Sequence, residues 1–205
     1  MSYSVKEVFY TLQGEGKLAG RPAVFCRFVG CNLWSGKEKD RAKAVCNFCD
    51  TDFLGGSMVR CAEDLASYIE DQWPLSQPNK FVVLTGGEPS LQVDKALIES
   101  LHKRGFFIAI ETNGTRLLEP GIDWVCVSPK ANTKLVVTSG DELKLVYPQI
   151  GVDPKQFELM AFDHFQIQPL DANYENDYLD QAVDFCKNNT AWTLSFQTHK
   201  ALKIR

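Results

Sequence analysis

Short apolar runs recur along the chain and alternate with amphipathic stretches. PAVFCRFVG (22–30), KFVVLTGG (80–87), GFFIAIETNG (105–114), IDWVCVSPK (122–130), DELKLVYP (141–148) and HFQIQP (164–169) are apolar and rich in Val, Ile and Phe. Several end in Gly, Asn or Pro, so each predicts a short buried strand. TLSFQTHK (193–200) predicts a last strand. Helical periodicity falls between some of these runs, in AEDLASYIEDQW (62–73), LQVDKALIESLHKRG (91–105) and NDYLDQAVDFCKNN (176–189). Gly105 reads as the stop of the second helix. The alternation predicts an α/β fold with mostly parallel strands. About a dozen residues separate the third strand from the fourth, the least that a parallel crossover with a helix needs. The expected architecture is therefore an open, abbreviated barrel, with some helices replaced by loops. In such folds ligands bind at the carboxyl ends of the strands.

Composition narrows the class. The 205 residues suit one domain, with 44% hydrophobic and 23% charged residues. Lys+Arg 22 against Asp+Glu 26 gives a net charge of −4, which argues against an electrostatic nucleic-acid binder. No apolar run approaches membrane-spanning length. MSYSVKEVFY lacks the basic and apolar segments of a signal peptide, so a cytoplasmic protein is expected. There, seven cysteines are read as ligands or buried apolar groups rather than a disulfide framework.

Cys31, Cys46 and Cys49 carry the strongest chemical signal. Two residues separate the last pair and fourteen separate the first. Three thiolates suit a soft metal site but fall one short of a closed zinc site or an ordinary four-cysteine cluster. A cubane held by three protein ligands leaves one iron open for a substrate. Zinc is the competing reading and needs a fourth ligand, such as Cys26 or Cys61. Cys26 alternates within a strand and reads as core; Cys61 opens a helix.

Thr85-Gly86-Gly87-Glu88-Pro89 ends a strand with two glycines that let a ligand approach the backbone. Its carboxylate could bind an ammonium group, or Glu88 and Pro89 could simply open the next helix. Gln13 and Glu15 offer donors and acceptors for the edge of a heterocycle. Arg27 could clamp a carboxylate with two hydrogen bonds. For each of these three the ordinary alternative is a surface turn or a solvated side chain. GKEKDRAK (36–43) reads as a solvated loop, and His102, His164 and His199 show no metal spacing.

Taken in order, FYTLQGEG (9–16), GRPAVFCRF (20–28), CNLW (31–34), CDTDF (49–53), TGGEP (85–89), ETNG (111–114), SPK (128–130), QP (168–169) and QTHK (197–200) resemble the radical S-adenosylmethionine superfamily. Within it the chain resembles the 7-carboxy-7-deazaguanine synthases. The long gap before Cys46 departs from the commonest superfamily motif and is similar to one branch of that family.

The resemblance implies a radical-SAM-type partial barrel and a lyase that converts 6-carboxy-5,6,7,8-tetrahydropterin to 7-carboxy-7-deazaguanine and ammonia. Hydrogen abstraction and ring contraction make a product that feeds 7-deazapurine (queuosine) synthesis. It implies a [4Fe-4S] cluster on Cys31, Cys46 and Cys49, S-adenosylmethionine, and Mg2+ held with the help of Thr51. Leu12, Gln13, Gly14, Glu15, Arg27 and Thr85 would line the pterin pocket. Phe48, Cys49, Asp50, Gly87, Ser128, Pro129, Lys130, Gln168, Pro169, Leu170 and Asp171 would surround S-adenosylmethionine. By its position, the terminal carboxylate of Arg205 would reach the substrate. Glu111 stands near the site as a candidate proton carrier. A homodimer and an electron donor such as flavodoxin or ferredoxin are further implications. A glycyl-radical activating enzyme and a non-catalytic zinc module are the alternatives.

Overall fold

A computed structural model describes residues 1–170 and 176–205. Its described strands form one nine-stranded sheet. β1 (Tyr3–Leu12) runs antiparallel to both β2 (Pro22–Phe28) and β3 (Ser57–Val59). From β2 onward every neighbour is parallel, through β4 (Phe81–Gly86), β5 (Phe107–Thr112), β6 (Trp124–Val127), β7 (Ser139–Tyr147), β8 (Ala161–Pro169) and β9 (Trp192–Leu194). β3 and β9 are the outer strands and do not pair, so the barrel stays open.

Helices α1 (Ala62–Gln72), α2 (Lys95–Lys103) and α3 (Asn176–Asn188) cover one face of this sheet. α1 buries Leu65, Ala66 and Ile69, and α2 buries Leu97, Ile98 and Leu101, the spacing of a single helical face. They pack with Val24, Val82, Leu84, Ile108 and Ile110 in one core. A second core joins Leu143, Leu145 and Ile167 to Ala182 of α3 and Trp192. Each such Val, Leu or Ile side chain contributes about 1.5–3 kcal/mol when fully buried. No described helix is long and apolar enough to cross a membrane.

The parallel sheet follows the expected strands, and residues 113–123 connect β5 to β6 without a helix. Three details differ. Residues 3–12, not anticipated as a strand, form β1, because Val5, Val8 and Phe9 are buried. The expected strand at 193–200 stops after β9, and its second half becomes α4 (Thr198–Leu202). The helix expected over 91–105 begins later, since Asp94 Oδ1 accepts from Leu97 N at 3.0 Å and caps α2 there. Its far end is as expected, with Gly105 at φ +77°.

One backbone seam aligns the strand ends. Gly87 N donates to Phe28 O at 3.1 Å and Glu88 N to Gly30 O at 2.8 Å. Gly86 has φ +129°, and a side chain at either glycine would overlap backbone atoms of Phe28 or Gly30. Gly87→Ala is expected to cost about 1–3 kcal/mol from overpacking. Urea denaturation measures this; an unchanged midpoint would mean the seam has room to spare.

Candidate active site

A cavity of about 590 Å³ opens over the carboxyl ends of β2, β4, β5, β6, β7 and β8. Two walls of different chemistry meet in it.

The first wall carries the thiols. Cys31, Cys46 and Cys49 all line the cavity. Cys31 directly follows the Gly30 seam, while the intervening loop folds back through Val45 N and Cys46 N, which donate to Leu33 O at 3.1 and 3.4 Å. Arg41 knits this loop together. Its guanidinium lies 4.2 Å over the Trp34 ring, and Nη1 donates to Asn47 O at 3.0 Å and Cys49 O at 2.9 Å. The run 36–43 is therefore more than a solvated loop. Cys46 shares a hydrogen bond with Cys49, which drives the Cys46 thiol up and the Cys49 thiol down to about 6 against the pull of burial. The Thr51 backbone and hydroxyl also support the Cys49 thiolate. Burial raises the Cys31 thiol.

Among the described residues no three His, Cys, Asp or Glu side chains are gathered tightly enough for a single metal ion. Cys26 lies in the apolar core and Cys61 caps α1, so neither extends the triad. Three soft ligands on one cavity wall with no fourth beside them fit a cubane that keeps one iron open rather than a closed zinc site. Next to the thiols stand Phe48, Asp50, Thr51, Gly87, Ser128 and Lys130. Lys130 Nζ donates to Ser128 O at 2.7 Å and Oγ at 2.6 Å. Pro129 is buried behind them and does not line the cavity; Gln149 holds that loop through Ala131 N and Pro129 O. Gln168, Pro169 and Leu170 complete this side, and Asp171 lies outside the described residues.

The second wall is a buried charge network. Lys144 is 4% exposed, and its ammonium stands 2.7 Å from Glu15 Oε2 and 3.4 Å from Glu111 Oε1. Gln13 Nε2 donates to Glu111 Oε1 at 2.9 Å, and Gln197 Nε2 to Glu15 Oε1 at 2.7 Å. Burial would raise the Glu15 carboxyl, but Lys144 and Gln197 outweigh it and hold it at about 2. Burial likewise opposes the Lys144 charge, and Glu111 and Glu15 reverse this and raise it well above its ordinary value. Leu12, Gly14, Arg27 and Thr85 line the same wall. Glu7 Oε1 accepts from Arg27 Nε at 3.0 Å and orients that guanidinium. Arg205 lines the cavity too, with its main-chain oxygen accepting from Thr11 Oγ1 at 2.7 Å and its side chain paired to Glu7.

Glu88 takes the structural alternative. It is fully buried beneath the cavity, and its oxygens accept from Ser90 N at 3.0 Å, Thr112 Oγ1 at 2.7 Å and Asn113 N at 2.8 Å. It ties the end of β4 to the end of β5 and does not reach an ammonium group in the cavity.

Sequence reasoning missed Lys144, because DELKLVYP reads as an apolar strand. The signal was the alternation: Glu142 and Lys144 share one face while Leu143 and Leu145 share the other. It anticipated Arg205 at the site but not the contacts made by the residues before it. Gln197, His199 and Lys200 line the cavity, and Lys200 Nζ meets Asp50 Oδ2 at 2.9 Å, joining α4 to the cysteine loop.

No family model matches the chain. A 7-carboxy-7-deazaguanine synthase of Bradyrhizobium diazoefficiens is 55% identical over 210 residues, covering 100% of both chains. One of Caulobacter vibrioides is 55% identical over 209 residues, again covering 100% of both. The crystal structure of QueE from Escherichia coli superposes with a TM-score of 0.71 at 28% identity, covering 96% of this chain and 94% of that one. With such identity over its full length, the chain belongs to the 7-carboxy-7-deazaguanine synthase family.

Proposed function

We propose that this chain is a radical S-adenosylmethionine lyase that converts 6-carboxy-5,6,7,8-tetrahydropterin to 7-carboxy-7-deazaguanine and ammonia. The observation that carries the reading is one cavity lined on one side by Cys31, Cys46 and Cys49 and on the other by the Gln13–Glu111–Lys144–Glu15 network. Cys31, Cys46 and Cys49 would hold a [4Fe-4S] cluster. When bound, the cluster and S-adenosylmethionine supply the radical that takes a hydrogen atom from the substrate.

The chain's own groups bind, orient and move protons. Gly87, Ser128, Lys130 and Gln168 surround the cofactor, with the Gly87 backbone open to close approach. Arg27, held at Nε by Glu7, receives the substrate carboxylate. Gln13 and Glu15 present the donor and acceptor edge to the pterin. Each Glu15 oxygen already has one partner and keeps a lone pair for another. Glu111 shares Lys144 with Glu15 and is the proton carrier nearest the pterin. Thr51, together with the substrate carboxylate, would hold Mg2+, which orients the substrate. The Lys200–Asp50 bridge and the Arg205 terminus close the cavity and limit water. A homodimer, a flavodoxin- or ferredoxin-like electron donor, a queuosine-type end product and a cytoplasmic setting belong to the same reading. Seven free cysteines support that setting.

Anaerobic cluster reconstitution, followed by S-adenosylmethionine, reductant and the carboxypterin, is expected to give the deazaguanine product. Its absence would favour a glycyl-radical activating enzyme. Cys49→Ala is expected to lose cluster and turnover together, against about four irons with sulfide in the unaltered protein. Activity surviving that change would sink the reading.

Lys144→Met strips Glu15 and Glu111 of their shared cation and is expected to cost about 3–5 kcal/mol in denaturant unfolding at neutral pH. Glu15 is depressed from 4.5 to about 2 in the folded chain. It therefore contributes stability above its unfolded value, and that contribution is lost as pH falls toward the folded one. The unaltered protein should lose more stability than Lys144→Met across that window. An equal loss would show that Lys144 does not hold Glu15.

A further inference from the structure

Behind the charge network lies a carboxyl group that the proposed chemistry has not used. Glu142, on β7, is 2% exposed. Its Oε2 accepts from Lys17 N at 3.1 Å, and its Oε1 is buried without a hydrogen-bond partner. It sits on the same strand face as Lys144, two residues away. Across the sheet, Glu111 pairs in register with Cys126 and Cys126 with Glu142. Two strand spacings put the Glu111 and Glu142 Cα atoms about 10 Å apart, a gap their side chains and one water can span. A void of about 10 Å³ lies there, lined by Gln13, Glu15, Glu111, Trp124, Cys126 and Glu142. That is room for one water with several polar partners.

The charge count decides the state of Glu142. Its titratable and charged neighbours are Lys144 on its own strand, Glu111 on β5, Cys126 on β6, Glu15 in the loop after β1 and its register partner His164 on β8. Lys144 is the cation shared by the carboxylates, and it is taken by Glu15 at 2.7 Å and Glu111 at 3.4 Å. Ionised, Glu142 would add a buried charge supported by one backbone N–H and the Trp124 indole beside it, with no cation of its own, an arrangement proteins avoid by keeping the proton. The carboxyl lies directly against Gly16, where a methyl group would overlap it.

We propose that Glu142 is a neutral buried carboxylic acid that stores a proton for the site and passes it to Glu111 through one water in the intervening void. Burial pushes its carboxyl up, in the same direction. The relay rests on the reaction proposed above, because releasing ammonia requires a proton on the departing nitrogen. Glu111 gives that proton. The Glu142 O–H bond breaks, its proton passes to the water, and the water gives one of its own to the Glu111 carboxylate. Glu142 is left ionised beside Lys144 and regains a proton from solvent between turnovers. No electron is exchanged. Glu142 thus acts through Glu111 and does not touch the substrate.

Infrared spectroscopy of the reconstituted enzyme at about pH 8, well above the ordinary carboxyl value, reads the stored proton directly. The carbonyl stretch of a protonated carboxylic acid is expected in the unaltered enzyme and in Glu111→Gln, and absent in Glu142→Gln. Absence of this band from the unaltered enzyme, or its loss in Glu111→Gln, overturns the assignment, and the second comparison stands even if Glu142→Gln does not fold. In steady state, Glu142→Gln is expected to lower kcat about tenfold or more with KM nearly unchanged, and to lose less at lower pH. Unchanged kcat across the pH range overturns the relay. Failure of the unaltered enzyme to form deazaguanine would instead sink the proposed reaction, and the relay with it, while the infrared band still decides the protonation of Glu142.

Discussion

The site depends on the contact between the Gly86–Gly87 backbone and the 28–31 segment. Two main-chain hydrogen bonds, Gly87 N to Phe28 O and Glu88 N to Gly30 O, bring the end of β4 against the end of β2. No side chain fits between them. This close approach fixes where Cys31 leaves the sheet and turns the Gly87 backbone toward the cavity. Glu88 extends the same alignment to β5 by bonding Thr112 and Asn113. Asn113 then bonds Asn32, the residue after Cys31, at 3.0 Å. Three parallel strand ends are thus tied into one rim before any ligand is considered.

Inside that rim the barrel lumen is polar. The inward faces of β5, β6, β7 and β8 carry Glu111, Cys126, Lys144 and Gln168, while their outward faces carry Ile110, Val127, Leu143 and Ile167. A buried lysine survives there because two carboxylates share it, and the carboxylates survive because the lysine and two glutamines bond them. Such a network is costly to disturb, so it holds polar groups in fixed positions. A substrate with several ring nitrogens and a carboxylate is matched by groups that are already oriented, which lowers the ordering cost of binding.

Closure comes from the chain end. Gln197 reaches Glu15, Lys200 reaches Asp50, and Arg205 meets Thr11 and Glu7. The carboxyl-terminal residues therefore connect the cysteine loop, the charge network and β1.

Much of this was legible in the sequence. Runs of Val, Ile and Phe marked the parallel strands because a sheet covered on one face by helices needs apolar side chains there. The triad of cysteines, Gln13, Glu15, Arg27 and the residues after each strand pointed to the cavity they now line. The sequence could not show that Glu88 turns inward to serve as an anchor, or which carboxylates share Lys144. Nor could it show that 197–205 folds over the site as α4 and a terminal clasp, or that Arg41 stacks on Trp34 to fold the long cysteine loop. Sequence by itself determined the elements and the residue types, since periodicity and spacing are local properties. Which carboxylate anchors strand ends, which shares a lysine and which has no cation of its own was decided only by tertiary structure. Burial and charge pairing depend on neighbours that lie far apart along the chain.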